Sequence, residues 1–344
     1  MEIEVGKIEA LRAILEAKPG QNILLLAHTN PDGDALGSTL AMRRVLISKG
    51  HNVNIIAPNK YPSSLGSLPD IENILIYRND ELGVCSNLIK GADIIFALDF
   101  NTPTRLEDLG EEVIQGSSAK TVLIDHHLSP DESFDVILSY PEESSTCFVL
   151  FSVLVALYGV EVIDTTAAEL LYVGMMTDTG NFSFAKLSPA LYRAVASLAE
   201  KGIDIPAINN MVFNSYTLGR ARLFGYTVNR KMKTLHNGAV SHMSLTEEEM
   251  RRFRFQQGDS EGFVNFPLTV KKMKVSALFV EQRKFIRVSL RSRRDVDVNL
   301  FARKYFNGGG HKNAAGGKSF MTMEQTIAHF EKSIVEYLNS CNKQ

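Results

Sequence analysis

Four short apolar runs, "NILLLAH" (22–28), "NVNIIAP" (52–58), "ADIIFALDF" (92–100) and "KTVLIDHH" (120–127), alternate with helical stretches along the N-terminal part of the chain. A strand that is apolar at every position must be covered on both faces, and strands separated by helices pair in parallel. The pattern predicts an α/β fold with a doubly wound, mainly parallel sheet. In such sheets ligands gather beyond the carboxyl ends of the strands. The first run ends in His28 and leads through "AHTNPDGDALGS" to Asp32 and Asp34; the third ends at Asp99; the fourth ends in Asp125, His126 and His127. A later apolar helix, "AAELLYVGMMTDTGNFSF" (167–184), reaches Asp178 where Thr and Gly signal a turn.

Taken singly, each of these residues has an ordinary explanation. A histidine after a strand is commonly a hydrogen-bonded loop residue, and aspartates near turns cap helices or bond their own backbone. Taken together at one sheet edge, the carboxylates would repel one another, because like charges a few ångströms apart cannot all ionise. A pair of divalent cations removes that cost. Oxygen-rich sites with a minority of imidazole suit Mn²⁺ or Mg²⁺ better than zinc, so two manganese ions are expected, with magnesium as the substitute.

A chain of 344 residues predicts two domains. Hydrophobic content of 44%, charged content of 22% and a formal net charge of -2 are those of an ordinary globular protein without a global pull toward nucleic acid, so any anion site must be local. The three cysteines, Cys85, Cys147 and Cys341, are far apart and lack CxxC spacing, which predicts a reduced, cytoplasmic setting. The N-terminal "MEIEVGKIEALRAILEAKPG" carries acids and reads as an amphipathic helix rather than a signal peptide. The apolar stretch "CFVLFSVLVALYGV" falls short of the ~20 residues of a membrane span and is expected to be a buried helix. "SST" (144–146) in front of it reads as an N-cap, at a helix start that could also attract an anion.

From about residue 188 the pattern is helical, and beyond 235 strand-like segments return in "GAVSHMSL", "VSALFVEQ" and "FIRVSLRSR". The expected organisation is a metal-binding domain over 1–200, a helical linker over 201–234 and a smaller α+β domain over 235–344. "FIRVSLRSR" alternates, with Ile286, Val288 and Leu290 on one face and Arg287, Ser289 and Arg291 on the other. Six basic residues and no acid lie from Gln282 through Arg294. The run Gly308, Gly309, Gly310 in "NGGGHKNAAGG" is expected as a loop whose exposed N–H groups cradle phosphate, with His311 adding a donor. Phe182, Phe184 and the methionines near Asp178 are expected in the core rather than as base-stacking platforms.

"AHTNPDGDALGS", "ALDF", "IDHH" and "MTDTG" stand in the order of the four motifs of the DHH phosphoesterase superfamily, named for the triplet seen here as Asp125, His126 and His127. "RVSLRSRRDVDVNLFARKYFNGGGHKNAAGG" resembles the associated DHHA1 substrate-binding domain. The whole pattern is most similar to the nanoRNase and pAp phosphatase branch, without the sensory or membrane domains of cyclic-di-AMP phosphodiesterases or the longer build of RecJ-type exonucleases. The resemblance implies one metal held by His28, Asp32 and Asp99, and a second held by Asp34, Asp99, His126 and Asp178, with Asp99 bridging. It makes His127 the histidine that polarises or protonates a phosphate oxygen, and Asp125 its orienting neighbour. Gly33 would let the backbone pass between the two carboxylates. Arg105 in "DFNTPTRL" matches an arginine near the scissile phosphate; Ser289, Arg291, Gly309, Gly310 and His311 are the implied substrate contacts. Asn307 stands where many relatives carry a fourth glycine.

The implied function is a manganese-dependent phosphodiesterase that cleaves very short RNA, dinucleotides above all, by two-metal activation of a bridging water, with removal of the 3′ phosphate from pAp as a second activity. Its partner would be a short single-stranded RNA or nucleotide, with no long duplex and no membrane, and a homodimer is compatible with the sequence. The rival readings are an exopolyphosphatase or pyrophosphatase, a cyclic-dinucleotide phosphodiesterase, and a non-catalytic nucleotide sensor.

Overall fold

The computed structural model describes residues 1, 3–183, 186–293 and 295–341, apart from the side chains of Ile114, Gln115 and Cys341; Phe184 and Arg294 lie outside the described residues. It divides into two compact units, Met1–Ser215 and Tyr216–Gln344.

The first unit is built on six strands, β1 (Asn22–Leu26), β2 (Asn52–Ala57), β3 (Ile74–Ile76), β4 (Ile94–Leu98), β5 (Lys120–Asp125) and β6 (Val136–Ser139), in the order β3-β2-β1-β4-β5-β6. All five pairings are parallel. Side chains alternate across the sheet as strand geometry requires. Ile23, Leu25, Phe96 and Ile124 join one core, while Leu24, Leu26, Ala97 and Leu123 join the other. Helices α1 (Val5–Leu15), α2 (Gly33–Ser48), α5 (Thr146–Tyr158), α6 (Thr165–Asp178), α7 (Pro189–Glu200) and α8 (Ile205–Phe213) contribute to the first core; α3 (Val84–Gly91) and α4 (Asp108–Gly116) cover the other face. The four apolar runs are β1, β2, β4 and β5. Strands β3 and β6 escape the sequence reading because three and four residues are too few to show a period.

α5, the most apolar helix, is 13 residues long and buried, and among the described residues no helix is long and apolar enough to cross a membrane. The helical stretch between the two sheets is divided, α7 and α8 belonging to the first unit and α9 (Leu218–Tyr226) to the second.

The second unit carries a mixed sheet of β7 (Lys233–Leu235), β8 (Val240–Leu245), β9 (Val275–Gln282), β10 (Phe285–Ser292), β11 (Gly309–His311) and β12 (Ala314–Ser319), in the order β11-β12-β10-β9-β8-β7. Only the β8–β9 pairing is parallel. Ile286, Val288 and Leu290 of β10 pack with Phe279, and with Phe301 and Phe330 of α11 (Val298–Tyr305) and α12 (Met323–Cys341). On the opposite face Met243, Leu245, Leu278 and Val280 pack against Leu223 of α9, Phe263, and Met250 of α10 (Glu247–Arg252). The glycine run is not the expected loop: Gly309 and Gly310 pair with Ala315 and Gly316 in a β-hairpin. A Cβ on Gly308 would collide with the Gly316 carbonyl, so close strand approach is what the glycine there permits.

Candidate active site

The strand order reverses between β1 and β4, which run side by side with their connections leaving in opposite directions. A crevice must open at that point beyond the carboxyl ends of the strands. His28 and Asp32 follow β1, Asp99 follows β4, and Asp125, His126 and His127 close or follow β5. Asp34 lies in the first turn of α2, and Asp178 is the last residue of α6.

These side chains converge. His28, Asp32 and Asp99 bring one ligand atom each to within 4.8 Å of one another, as do Asp34, Asp99 and His126, and Asp99, Asp125 and His127. The His28 ring meets Thr29 O at 2.9 Å through Nδ1, and its Nε2 stands 3.5 Å from Asp99 Oδ2. His126 Nε2 lies 3.1 Å from Asp178 Oδ2, 3.7 Å from Asp99 Oδ1 and 3.8 Å from Asp34 Oδ2. Asp99 is therefore common to all three groups. It adopts φ +67°, a left-handed conformation that aspartate tolerates better than most residues and that recurs where a site over-determines its backbone.

Asp32 also serves as the N-cap of α2, its Oδ1 accepting from the amides of Asp34 at 3.0 Å and Ala35 at 3.2 Å. The capping role that its position allows is thus real and coexists with its place in the cluster. Asp125 accepts from His127 at 2.7 Å through Nδ1 and at 3.0 Å from the His127 amide, so it holds both ring and backbone of that histidine.

The residue most easily missed in the sequence is Thr146. Its amide donates to Asp34 Oδ2 at 2.6 Å and its hydroxyl to Asp99 Oδ1 at 2.8 Å, while the Cys147 amide donates to Asp34 Oδ1 at 2.8 Å. The start of α5 thereby clamps two carboxylates that come from α2 and β4. Ser145 is the cap of that helix, accepting from the Phe148 amide at 3.1 Å. The spacing of "SST" signals the cap but not the clamp, because the partners lie 47 and 112 residues away.

Glycine also enables the convergence by close packing of helices. A Cβ on Gly33 would strike Thr177 of α6, and a Cβ on Gly174 would strike Cys147 Sγ and come within 2.6 Å of Asp34 Oδ1. The glycines let α2, α5 and α6 pack closely around the carboxylates.

Burial shapes the charges. Desolvation, joined by the charge of Asp178, pushes the Asp34 carboxyl up to about 7. Burial and the neighbouring Asp34, Asp32 and Asp178 raise Asp99 well above the carboxylate range. Burial, with the cation of Arg105, lowers His28 to about 4, which keeps its ring neutral. For His126 burial acts downward, but the hydrogen bond and charge of Asp178, with Asp34 and Asp125, outweigh it and hold the ring up at about 10. Acids that resist ionisation beside a proton-retaining imidazole describe a site designed around positive charge that protons replace. Four carboxylates and two imidazoles offer the hard, oxygen-rich donor set of a divalent cation pair.

Arg105 is exposed on the turn Pro103–Leu106, and its carbonyl accepts from the Thr29 amide at 2.9 Å beside His28. Phe182 is half-buried against Tyr172 and Tyr192.

In the second unit the register divides the other predicted residues: Gly310 falls in the row of Ala315 and Leu290, whose side chains join the core on one face, while Ser289 and Arg291 lie on the opposite face of β10. Ser289, Gly316 and Gly309 form one cross-strand row, and Arg291, Ala314 and His311 form the next. Residues directly opposite in an antiparallel ladder project to the same side. Arg291 and His311 thus flank the small Ala314, and Ser289 looks onto glycine, leaving a shallow floor between polar side chains. Asn307 carries φ +47°, the conformation that glycine or asparagine favours, so it supplies what a fourth glycine would.

The DHH family N-terminal domain model matches residues 22–175, and the DHHA1 domain model matches residues 238–340. A protein described as a probable bifunctional oligoribonuclease and PAP phosphatase NrnA, from Streptococcus mutans, is 27% identical over 92% of this chain and 95% of its own length. The Bacillus subtilis bifunctional oligoribonuclease and PAP phosphatase NrnA is 28% identical over 87% of this chain and 89% of its own. The crystal structure of an exopolyphosphatase-related protein from Bacteroides fragilis superposes with a TM-score of 0.90 over 97% of both chains at 37% identity. With the reversed strand order, the converging acids and histidines and the mixed-sheet second unit, these similarities show that the chain belongs to the DHH/DHHA1 phosphoesterase family.

Proposed function

We propose that this protein is a manganese-dependent phosphodiesterase that hydrolyses very short oligoribonucleotides, dinucleotides such as pApA above all, to mononucleotides, and that it also dephosphorylates pAp. One observation carries the reading: buried ligand atoms from separate segments, His28, Asp34, Asp99 and His126 among them, meet within a few ångströms, in a chain whose near-full-length relatives are described as oligoribonuclease and pAp phosphatase. His28, Asp32 and Asp99 would hold one cation, and Asp34, Asp99, His126 and Asp178 the other. A bound divalent pair supplies an activated water and charge neutralisation at phosphorus. The protein contributes the rest. Thr146 and the α5 amides fix the carboxylates, so little reorganisation is left to the reaction. With Nδ1 of His127 committed to Asp125, proton exchange with a phosphate oxygen falls to Nε2. Arg105 is the guanidinium suited to bind a non-bridging phosphate oxygen. Ser289, Arg291, Gly309, Gly310 and His311 bind the nucleotide. The same reading assigns a cytoplasmic protein acting on short single strands, with neither duplex nor membrane as partner.

The test is product analysis with pApA, pAp, polyphosphate, pyrophosphate and cyclic-di-AMP in Mn²⁺, with and without chelator, for the wild type and Asp99→Ala. AMP from pApA and pAp, abolished by chelator and by the substitution, is the expected result. Turnover of polyphosphate alone favours the second reading, an exopolyphosphatase, for which the likeness to the exopolyphosphatase-related protein of Bacteroides fragilis speaks. Chelator-insensitive binding of pApA without turnover indicates a sensor.

A further inference from the structure

Along β10 the face opposite Ile286, Val288 and Leu290 changes character with distance from Arg291: Arg287 donates to Ser260 Oγ at 2.7 Å under the Phe263 segment, and the strand emerges into solvent toward Phe285. Phe285, Arg287, Ser289 and Arg291 share that face, and six residues of strand separate the first from the last by about 20 Å. The β10–β12 register, in which Ile286 faces Ser319 and Arg287 faces Lys318, brings Phe320 opposite Phe285. The two rings lie 6.5 Å apart at 61°. Phe320 is 73% exposed, and Lys318 Nζ stands 5.0 Å from the centroid of Phe285. Arg283 and Lys284 form the turn that leads into the strand.

The nearby acids do not neutralise this corner. Glu261 stands 3.7 Å from Arg287, and the side chain of Glu281, on the opposite face, accepts from the Glu247 amide at 2.8 Å. What remains is an aromatic pair with a cation over one ring and two more cations beside it. The two rings meet at the ends of two neighbouring strands and form a contiguous apolar patch, the feature that marks an interaction site more than a single exposed ring does. Stacked bases and their phosphates need this combination of π-face and positive charge.

We propose that Phe285, Phe320 and Lys318, with Arg283 and Lys284, form a distal base-stacking subsite for an additional nucleotide of a single-stranded oligoribonucleotide longer than a dinucleotide. The inference rests on the oligoribonuclease reading for its substrate class. The polar rows of Ser289 and Arg291 hold a dinucleotide-length part of the strand, and the aromatic corner about 20 Å along β10 holds a further nucleotide that a dinucleotide is too short to supply.

The test compares wild type, Phe320→Ala and Lys318→Ala on pApA and on a five-nucleotide adenylate, with anisotropy of the labelled pentamer in the absence of Mn²⁺ as a second readout. Loss of one stacking platform is expected to raise KM for the pentamer about tenfold, with its kcat and both constants for pApA unchanged. Lys318→Ala should lower the salt slope of pentamer binding by about one. Equal losses on both substrates, or unchanged pentamer binding, overturn the subsite. Should the wild type leave pApA intact, the oligoribonuclease reading fails, while anisotropy still decides the subsite by itself. A dimer in sedimentation that Phe320→Ala dissociates, with RNA binding unaltered, identifies a second copy as the occupant and overturns the proposal as well.

Discussion

Thr146 and Asp99 are joined by a buried hydrogen bond of 2.8 Å, threonine hydroxyl to carboxylate, between the first residue of an apolar helix and the end of a central strand. The amide of the same threonine donates to Asp34. One residue outside the proposed ligand set thus holds two carboxylates that belong to it.

Removing the hydroxyl while keeping the shape, as in Thr146→Val, frees Asp99 to rotate without disturbing the helix. Affinity for Mn²⁺ is expected to fall about 10- to 100-fold in calorimetric titration, the usual cost of losing an outer partner of a ligand. Thr146→Ser, which keeps the donor, should recover most of it. A Val variant that binds Mn²⁺ like the wild type sinks the clamp.

Asp125→Asn leaves the proposed metal ligands unchanged but weakens the hold on His127 Nδ1. Turnover should drop about 100-fold or more with little change in metal affinity, because general acid–base contributions are of that order. The acidic and basic limbs of the pH profile are the discriminating readout, since loss of orientation shifts them and simple destabilisation does not.

The metal-free protein should lose stability as pH rises above neutrality. Asp34, at about 7, Asp99, well above its ordinary value, and His126, at about 10, all bind protons more tightly folded than unfolded. Stability linked to such groups is complete below the unfolded values and is lost as pH climbs through the folded ones. His28, lowered to about 4, works in the opposite sense, but only below its unfolded value of 6.5. In chelator, therefore, the unfolding free energy should decline between pH 7 and 9 by on the order of 1–2 kcal/mol. Saturating Mn²⁺ should abolish or reverse the slope, because cation binding requires deprotonated ligands. A chelated protein that melts higher at pH 9 than at pH 7 would falsify this account.

Gly174→Ala inserts a methyl against Cys147 Sγ and within 2.6 Å of Asp34 Oδ1. Overpacking of this kind costs about 1–3 kcal/mol, more than the helix propensity that alanine gains. Urea unfolding should show that loss together with weaker metal binding. Gly225→Ala, on a helix where an added Cβ meets nothing within 4 Å, is the control and should be neutral or stabilising by up to about 1 kcal/mol.

The order of elements, the parallel sheet and the identity of the acids and histidines were readable in the chain, because strands buried on both faces leave continuous apolar runs and a period is a local property. His28, Asp32, Asp34, Asp99, His126, His127 and Asp178 all stand at the ends of such elements, where short-range pattern points to them. Strands β3 and β6 were too short to announce themselves. The glycine run read as a loop because glycine signals conformational freedom and close approach alike, and only the register with β12 distinguishes the two. What tertiary structure alone decided is which groups restrain which: Thr146 on Asp99, the α5 amides on Asp34, Asp178 on His126, and the glycines that admit α6 to α2 and α5. The physical reason is that hydrogen bonding, desolvation and steric exclusion act through distance in space, and partners more than a hundred residues apart leave no periodic trace of one another in the sequence.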